Sequence, residues 1–251
     1  MTSREQTGLL PIGTAQGLHR SRPITDWVYR LLFGAIGWPW LLRSLWGGTQ
    51  VDKARLLARL GLREGALPHL GSWKADTAFL HRIVDTVELL RPATVVELGA
   101  GASTLVCARA LALHGGGRLV SYDQHAPFVT ATSDWLASHD LQVELRHAPL
   151  DAQIVRWPGY WYRLDHIPPT IDLLIIDGPP WTEHPYVRGA AETLFDRLSP
   201  GGMILLDDGA RPGERVVARR WRRQWPGIRF ELVHEGTKGT LIGRRRDGPA
   251  M

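Results

Sequence analysis

Apolar positions along the chain fall into two rhythms, with the change at Pro92. Upstream the spacing is helical. In 51–62 (VDKARLLARLGL), Val51, Ala54, Leu57 and Ala58, with Leu60 close by, mark one apolar face, and Gly61 is a plausible stop. A second helical stretch covers 75–90, with Ser72 expected as its cap and Pro92 ending it. Downstream, short apolar runs of strand length (94–98, 118–122, 141–147, 171–176, 203–206) alternate with helical stretches (103–113, 127–139, 186–198, 212–225). Two further strand-like runs, 229–234 and 239–243, follow in succession. Strands alternating with helices predict an α/β fold, a mostly parallel sheet covered on both faces. The closing pair predicts an antiparallel finish, and the count comes to a seven-stranded sheet. The connection 149–170 is long, as functional loops often are, and carries Trp157, Tyr160, Trp161 and Tyr162, which can equally serve to pack it down.

The segment before these helices reads differently. Residues 27–46 (WVYRLLFGAIGWPWLLRSLW) are long and apolar, but Arg30, Arg43 and Pro39 argue against a membrane span. Its tryptophans and arginines suit either packing on the main domain or on a second subunit, or peripheral contact with a membrane surface. The first 26 residues are polar, lack the pattern of a secretory signal and are expected to be flexible. The expected organisation is therefore a flexible start (1–26), a helical extension (27–90), the main domain (91–243) and a basic tail (244–251).

Composition changes this little. The 251 residues are 44% hydrophobic and 22% charged, ordinary for a soluble globular chain, so a cytoplasmic location is the default, peripheral to a membrane if 27–46 binds one. The single cysteine, Cys107, rules out an intrachain disulfide and a cysteine-type zinc site, and its apolar neighbours make it a core residue. The formal net charge of +5 gathers at Arg219, Arg220, Arg222 and Arg223 and at Arg244, Arg245 and Arg246. No nucleic-acid-binding motif accompanies it, so a solvated helix and tail are expected and nucleic acid is not favoured as partner.

The sharpest chemical signal is VVELGAGAST at 95–104. A strand ends, Gly99 and Gly101 turn the chain, and a helix begins near Ser103. Such a turn lies at the carboxyl end of the first strand, where open α/β sheets bind ligands, and the following helix N-terminus favours a negative group. A dinucleotide fingerprint needs a third glycine where Thr104 stands, which disfavours a nicotinamide oxidoreductase. Asp123 ends the next strand a little over twenty residues past the turn, and a carboxylate there can accept from both hydroxyls of a ribose.

The pattern E-x-G-x-G-x-S resembles motif I of class I S-adenosylmethionine-dependent methyltransferases. With DGPP at 177–180 and LLDD at 205–208 it resembles a bacterial small-molecule subgroup of that family, over roughly residues 71–243. The resemblance implies a Rossmann-like, doubly wound sheet. It implies S-adenosylmethionine as cofactor, held by Glu97, Gly99, Ala100, Gly101, Ser103, Asp123 and Gln124, with Trp73 helping to cover it. It also implies methyl transfer to a small-molecule acceptor, most readily at oxygen. In cation-dependent O-methyltransferases, acidic residues at the ends of the two later strands hold Mg²⁺, which acidifies the acceptor hydroxyl. Asp177, Asp207 and Asp208 are the corresponding set here, although Asp208 stands where the catechol-type pattern commonly has asparagine. Asp177 and His184 are the candidate catalytic residues, His184 as a general base.

Other readings stay open at this stage. The basic charge alone supports a nucleic-acid or protein methyltransferase, and DGPPW only loosely resembles the element of amino-methylating DNA enzymes. A non-catalytic cofactor-binding or membrane-associated scaffold is the third reading, and a homo-oligomer is compatible with each of the three.

Overall fold

The computed structural model describes residues 24–151 and 156–247, so the expected flexible start and the last four residues lie outside the described residues, except that the backbone of 24–26 opens the first helix. In chain order the elements are α1 (Ile24–Ser44), α2 (Gln50–Arg59), α3 (Thr77–Leu90), β1 (Thr94–Leu98), α4 (Ala102–Leu113), β2 (Arg118–Asp123), α5 (Ala126–Ala137) and β3 (Glu144–His147). There follow the short β4 (Leu150–Asp151) and β5 (Trp161–Tyr162), then β6 (Ile171–Ile176), a 3₁₀ segment (Val187–Arg197), β7 (Leu198–Leu206), α6 (Pro212–Gln224), β8 (Ile228–Val233) and β9 (Thr240–Arg245).

Seven strands form one sheet in the order β3-β2-β1-β6-β7-β9-β8. Six run in one direction, and β9, set between β7 and β8, runs antiparallel to both. This is the expected doubly wound, mostly parallel sheet with a helical extension, and a Rossmann-like fold. Strand order reverses between β1 and β6, so a crevice opens above their carboxyl ends.

The two faces follow from the period of two along each strand. Val95, Leu173, Ile175, Met203 and Leu205 face α2, α3 and α4, whose Leu56, Phe79, Ile83 and Leu105 are fully buried. Val96, Leu98, Leu174, Ile176, Ile204 and Leu206 face the 3₁₀ segment and α6, where Phe195 and Trp221 meet edge-on at 4.9 Å. Cys107 is buried in the first layer, as expected for a core residue.

Several local expectations are corrected. The cap of α3 is Asp76, whose carboxylate accepts from the Phe79 N–H at 2.9 Å, rather than Ser72. Ser72 instead takes a left-handed turn and donates its own N–H to the Ser44 carbonyl. The helical run 186–198 is 3₁₀ over Val187–Arg197, and its Gly189 packs a bare Cα against the Trp157 ring. The last strand runs to Arg245, so the basic tail begins inside the sheet, with Arg244 opposite Met203 and Arg229.

Residues 27–46 are mostly one helix, α1, with Pro39 inside it. Its inward face packs on the domain: Arg30 donates to the Glu183 carbonyl, and Phe33 meets Tyr186 edge-on at 5.1 Å. Its outer face leaves Trp27, Leu31, Leu32, Trp38 and Leu42 more than half exposed or close to it. Among the described residues no helix is long and apolar enough to cross a membrane.

Candidate active site

The glycine turn sits at the switch point. Glu97 shares the α4 face of β1 with Val95, and its cross-strand neighbour is Ser121. Both the Ser121 and Thr104 hydroxyls donate to Glu97 Oε2 at 2.6 Å, and the Gly101 N–H donates to Thr104 Oγ1 at 2.8 Å. Thr104 therefore ties strand, turn and helix start together, a role its position in the motif did not reveal. Burial pushes Glu97 up to about 7, against the pull of the Ser103, Ser121 and Thr104 hydroxyls. Glu97 is fully buried beneath the turn and Ser103 is 1% exposed, so the two shape the turn from below.

The two glycines differ. Gly99 has φ +94°, and a Cβ there would lie 2.7 Å from the Gly178 nitrogen and 2.8 Å from the Asp177 carbonyl carbon. Gly101 has φ +153°, and the nearest atom to its Cβ would be Phe128 Cζ at 3.9 Å. The first lets two strand ends meet; the second leaves its face open to the crevice.

Asp123 closes the far side. Its Oδ2 accepts the Ala100 N–H at 3.2 Å and its Oδ1 the His125 N–H at 2.9 Å. Burial raises it to about 6, opposed by these two amides. Each carboxylate oxygen keeps a lone pair for a further donor. Gln124 Oε1 beside it is buried with no hydrogen-bond partner, and so is the Tyr162 hydroxyl. Tyr162 Oη lies against Gly178, where a Cβ would come within 2.1 Å, and it feels the charges of Asp123, Asp177 and Glu97. Tyr162 thus stands between Asp123 and the DGPP turn. The sequence had offered it only as one aromatic in a long connection. Buried polar atoms without partners are rare, and two of them around an open glycine face fit a polar ligand there.

Asp177, Asp207 and Asp208 do come together: one oxygen from each lies within 4.8 Å of the others. Backbone bonds continue the ladder past the strand ends, Asp177 N–H to Leu98 O and Asp207 N–H to Ile176 O, which fixes the set. Three cations enter the same cluster, of which the sequence pointed only to Arg211. Lys238 Nζ is 3.2 Å from Asp207 Oδ2 and 3.5 Å from Asp208 Oδ1. Arg188 is 3.1 Å from Asp208 Oδ2 and 3.6 Å from Asp177 Oδ1, and Arg211 is 2.9 Å from Asp208 Oδ2. Three carboxylates and three cations balance. Burial and then Asp207 raise Asp177 well above the usual range, and burial likewise raises Asp207. For Asp208 burial is outweighed by Arg211, Lys238 and Arg188, which bring it down to about 2.

This set fits Mg²⁺ poorly. The ion takes oxygen ligands at about 2.0–2.1 Å in a near-regular octahedron. Here an ammonium already lies against two of the three carboxylates.

The remaining sequence candidates are placed nearby. Trp73 is half-buried, one residue before Lys74, whose carbonyl accepts from Lys238 at 2.9 Å. His184 is buried in an aromatic group with Tyr29 and Tyr186, and its Nδ1 accepts the Tyr186 N–H at 3.1 Å. A neutral ring so held carries its proton on Nε2, which leaves that nitrogen a donor rather than a base. Between α1, the 181–186 loop and α6 lies a cavity of about 30 Å³, lined by Phe33, Leu41, Trp181, Arg211 and Glu214 among others. A larger one of about 310 Å³, around Asp172 and Arg244, lies at the opposite edge of the sheet and holds none of these residues.

Comparison with known proteins agrees with this layout. A family described as "Methyltransferase domain" matches residues 96–209. No curated protein sequence matches the chain. Among solved structures, an O-methyltransferase from Bacillus cereus in complex with SAH superposes with a TM-score of 0.51 at 15% identity, covering 79% of this chain and 92% of that one. The O-methyltransferase TomG from Streptomyces achromogenes, involved in tomaymycin synthesis and bound to SAM, gives 0.51 at 15% identity, covering 89% and 97%. An SAH-bound methyltransferase from Podospora anserina gives 0.54 at 13% identity, covering 92% and 99%. Residues 96–209 thus match a methyltransferase-domain family and lie in a sheet with the Rossmann-like strand order.

Proposed function

We propose that the chain binds S-adenosylmethionine above the β1 and β6 ends and transfers its methyl group to an oxygen of a small-molecule acceptor. The observation that carries this is the open face of Gly101 opposite Asp123, flanked by the unpartnered Gln124 and Tyr162 oxygens. The cofactor supplies an electrophilic sulfonium methyl. The chain has to bind, align and exclude water. Asp123 accepts from the ribose hydroxyls. The Gly99–Gly101 turn lets the methionine end approach the backbone. Gln124 and Tyr162 offer further polar contacts. The known structures bound to SAM or SAH support this reading by their shared fold.

The acceptor side is the aromatic cleft under α1. Arg211 lines that cleft and also pairs with Asp208, so the cleft adjoins the carboxylate cluster. Asp177, at 11% side-chain exposure, is the most open carboxylate of the three. It is therefore the carboxylate placed to exchange a proton with an acceptor hydroxyl. The test is thermal denaturation with S-adenosylhomocysteine. The wild type is expected to melt higher with ligand, and Asp123→Ala to lose most of that gain. A response to NAD with none to S-adenosylhomocysteine would reject the reading.

The exposed, tryptophan-rich outer face of α1 supports peripheral contact with an anionic lipid surface. Sedimentation with phosphatidylserine vesicles tests it. Binding that Trp27→Ala/Trp38→Ala reduces is expected, and an unbound full chain would refute it.

A further inference from the structure

We infer that Lys238 is a resident cation of the active site. Its ammonium lies against Asp207 and Asp208, two of the three carboxylates that a divalent ion would need, and methyl transfer here is independent of metal. The consequence for transfer rests on the function proposed above; the occupancy by lysine rests on geometry alone.

Lys238 is held there by its surroundings. Its side chain is 1% exposed, and Nζ bonds Asp207 Oδ2, the Lys74 carbonyl and, at longer range, Asp208 Oδ1. The β8–β9 connection that carries it is stapled on two sides. Thr237 donates both its N–H and its hydroxyl to Asp76 Oδ2, at 2.7 and 3.0 Å, and Asp76 is itself the cap of α3. On the other side the Ala210 N–H donates to the Lys238 carbonyl and the Gly209 N–H to the Gly239 carbonyl. Gly236 and Gly239 both have positive φ, and a Cβ on Gly236 would lie 2.5 Å from Asp76 Oδ2. The turn is thus built to deliver this one side chain inward. A solvent-exposed lysine could swing away from an arriving ion. This one would leave Asp207 without the ammonium that pairs with it and would itself be buried without a carboxylate.

The charges reinforce the point. Arg188 and Arg211 occupy Asp208 Oδ2, and Arg188 also faces Asp177. With Lys238, three of the protein's own cations face the carboxylates and compete with a divalent ion for the Oδ1 atom of each aspartate, which has no hydrogen-bond partner.

Mn²⁺ tests this directly, because its paramagnetic signal reports binding without turnover. Titrated with the purified full chain, the free-ion signal is expected to remain undiminished at stoichiometric protein. S-adenosylhomocysteine is expected to raise the melting temperature equally with and without EDTA. Lys238→Met opens the carboxylate set, and its Mn²⁺ affinity is expected to rise at least tenfold, with Mn²⁺ raising its melting temperature. If that variant does not fold, Lys238→Met/Asp207→Asn removes the ion pair as a unit and is expected to fold and to ignore Mn²⁺. One Mn²⁺ bound by the wild type and lost in Asp177→Asn would overturn the inference. So would a folded Lys238→Met blind to Mn²⁺, or a double variant that fails to fold. Absence of any S-adenosylhomocysteine response would reject the proposed function instead and leave the Mn²⁺ result standing.

Discussion

Replacing Gly99 by alanine puts a methyl group 2.7 Å from the Gly178 nitrogen and 2.8 Å from the Asp177 carbonyl carbon, both backbone atoms that cannot rotate aside. Two costs add. The φ of +94° carries a penalty of about 1–2 kcal/mol for a residue with a Cβ. Forcing the two strand-end turns apart adds about 1–3 kcal/mol of overpacking. The total is about 2–5 kcal/mol, a fall in melting temperature of about 4–20 °C for a domain of this size. Gly101→Ala is the matched control. Its backbone also disfavours alanine, at about 1–3 kcal/mol, but its methyl meets nothing closer than 3.9 Å. It is expected to fold and to be the more stable of the two. Its methyl projects into the open crevice, so its defect is in binding. S-adenosylhomocysteine at a hundredfold excess over Kd should raise the wild-type stability by about 2.7 kcal/mol, and Gly101→Ala should show almost none of this. Thermal melts of three proteins with and without ligand settle the matter. A Gly99→Ala protein as stable as Gly101→Ala, or a Gly101→Ala protein with the full ligand response, would refute the division of labour between the two glycines.

Glu97, raised to about 7, holds its proton more tightly in the native than in the unfolded state. Its contribution is complete below about pH 4.5 and is lost as pH rises through about 7, on the order of 3 kcal/mol. Glu97→Gln should flatten the fall of urea midpoint over that window; an unchanged slope would contradict it, and Glu214, also raised to about 7 by burial, supplies the residual slope. Tyr162→Phe removes a buried hydroxyl with no partner, so stability should hold or rise slightly while S-adenosylhomocysteine affinity, read by calorimetry, falls about five- to tenfold. Unaltered affinity would take Tyr162 out of the cofactor site. Arg188→Met leaves Asp177 and Asp208 buried with one fewer cation, and chemical denaturation should show a loss of about 3–5 kcal/mol; a loss under 1 kcal/mol would mean the cluster is not a closed ion-pair network.

The strand-and-helix alternation was legible in the sequence because buried parallel strands must be continuous apolar runs, and every such run after Pro92 became a strand of the sheet. Gly99, Gly101, Asp123, Asp177 and Asp207 were legible for a related reason: strand ends in this topology all point to one edge, so a motif at each end shares one crevice. What stayed hidden depends on contacts between distant segments. Thr104 reads locally as a missing glycine, and only the fold sets it between Glu97 and the Gly101 amide. Tyr162 is one aromatic among several until β5 sets it against Gly178. Lys238 belongs to an ordinary turn between two strands, and Arg188 to an amphipathic helical stretch. No periodicity or spacing relates either to the aspartates, which lie 31 and 19 residues away from Asp207. The sequence by itself determined that three carboxylates would meet. Their counter-charge was decided by tertiary structure, because electrostatic balance acts through space between groups that the chain order keeps apart.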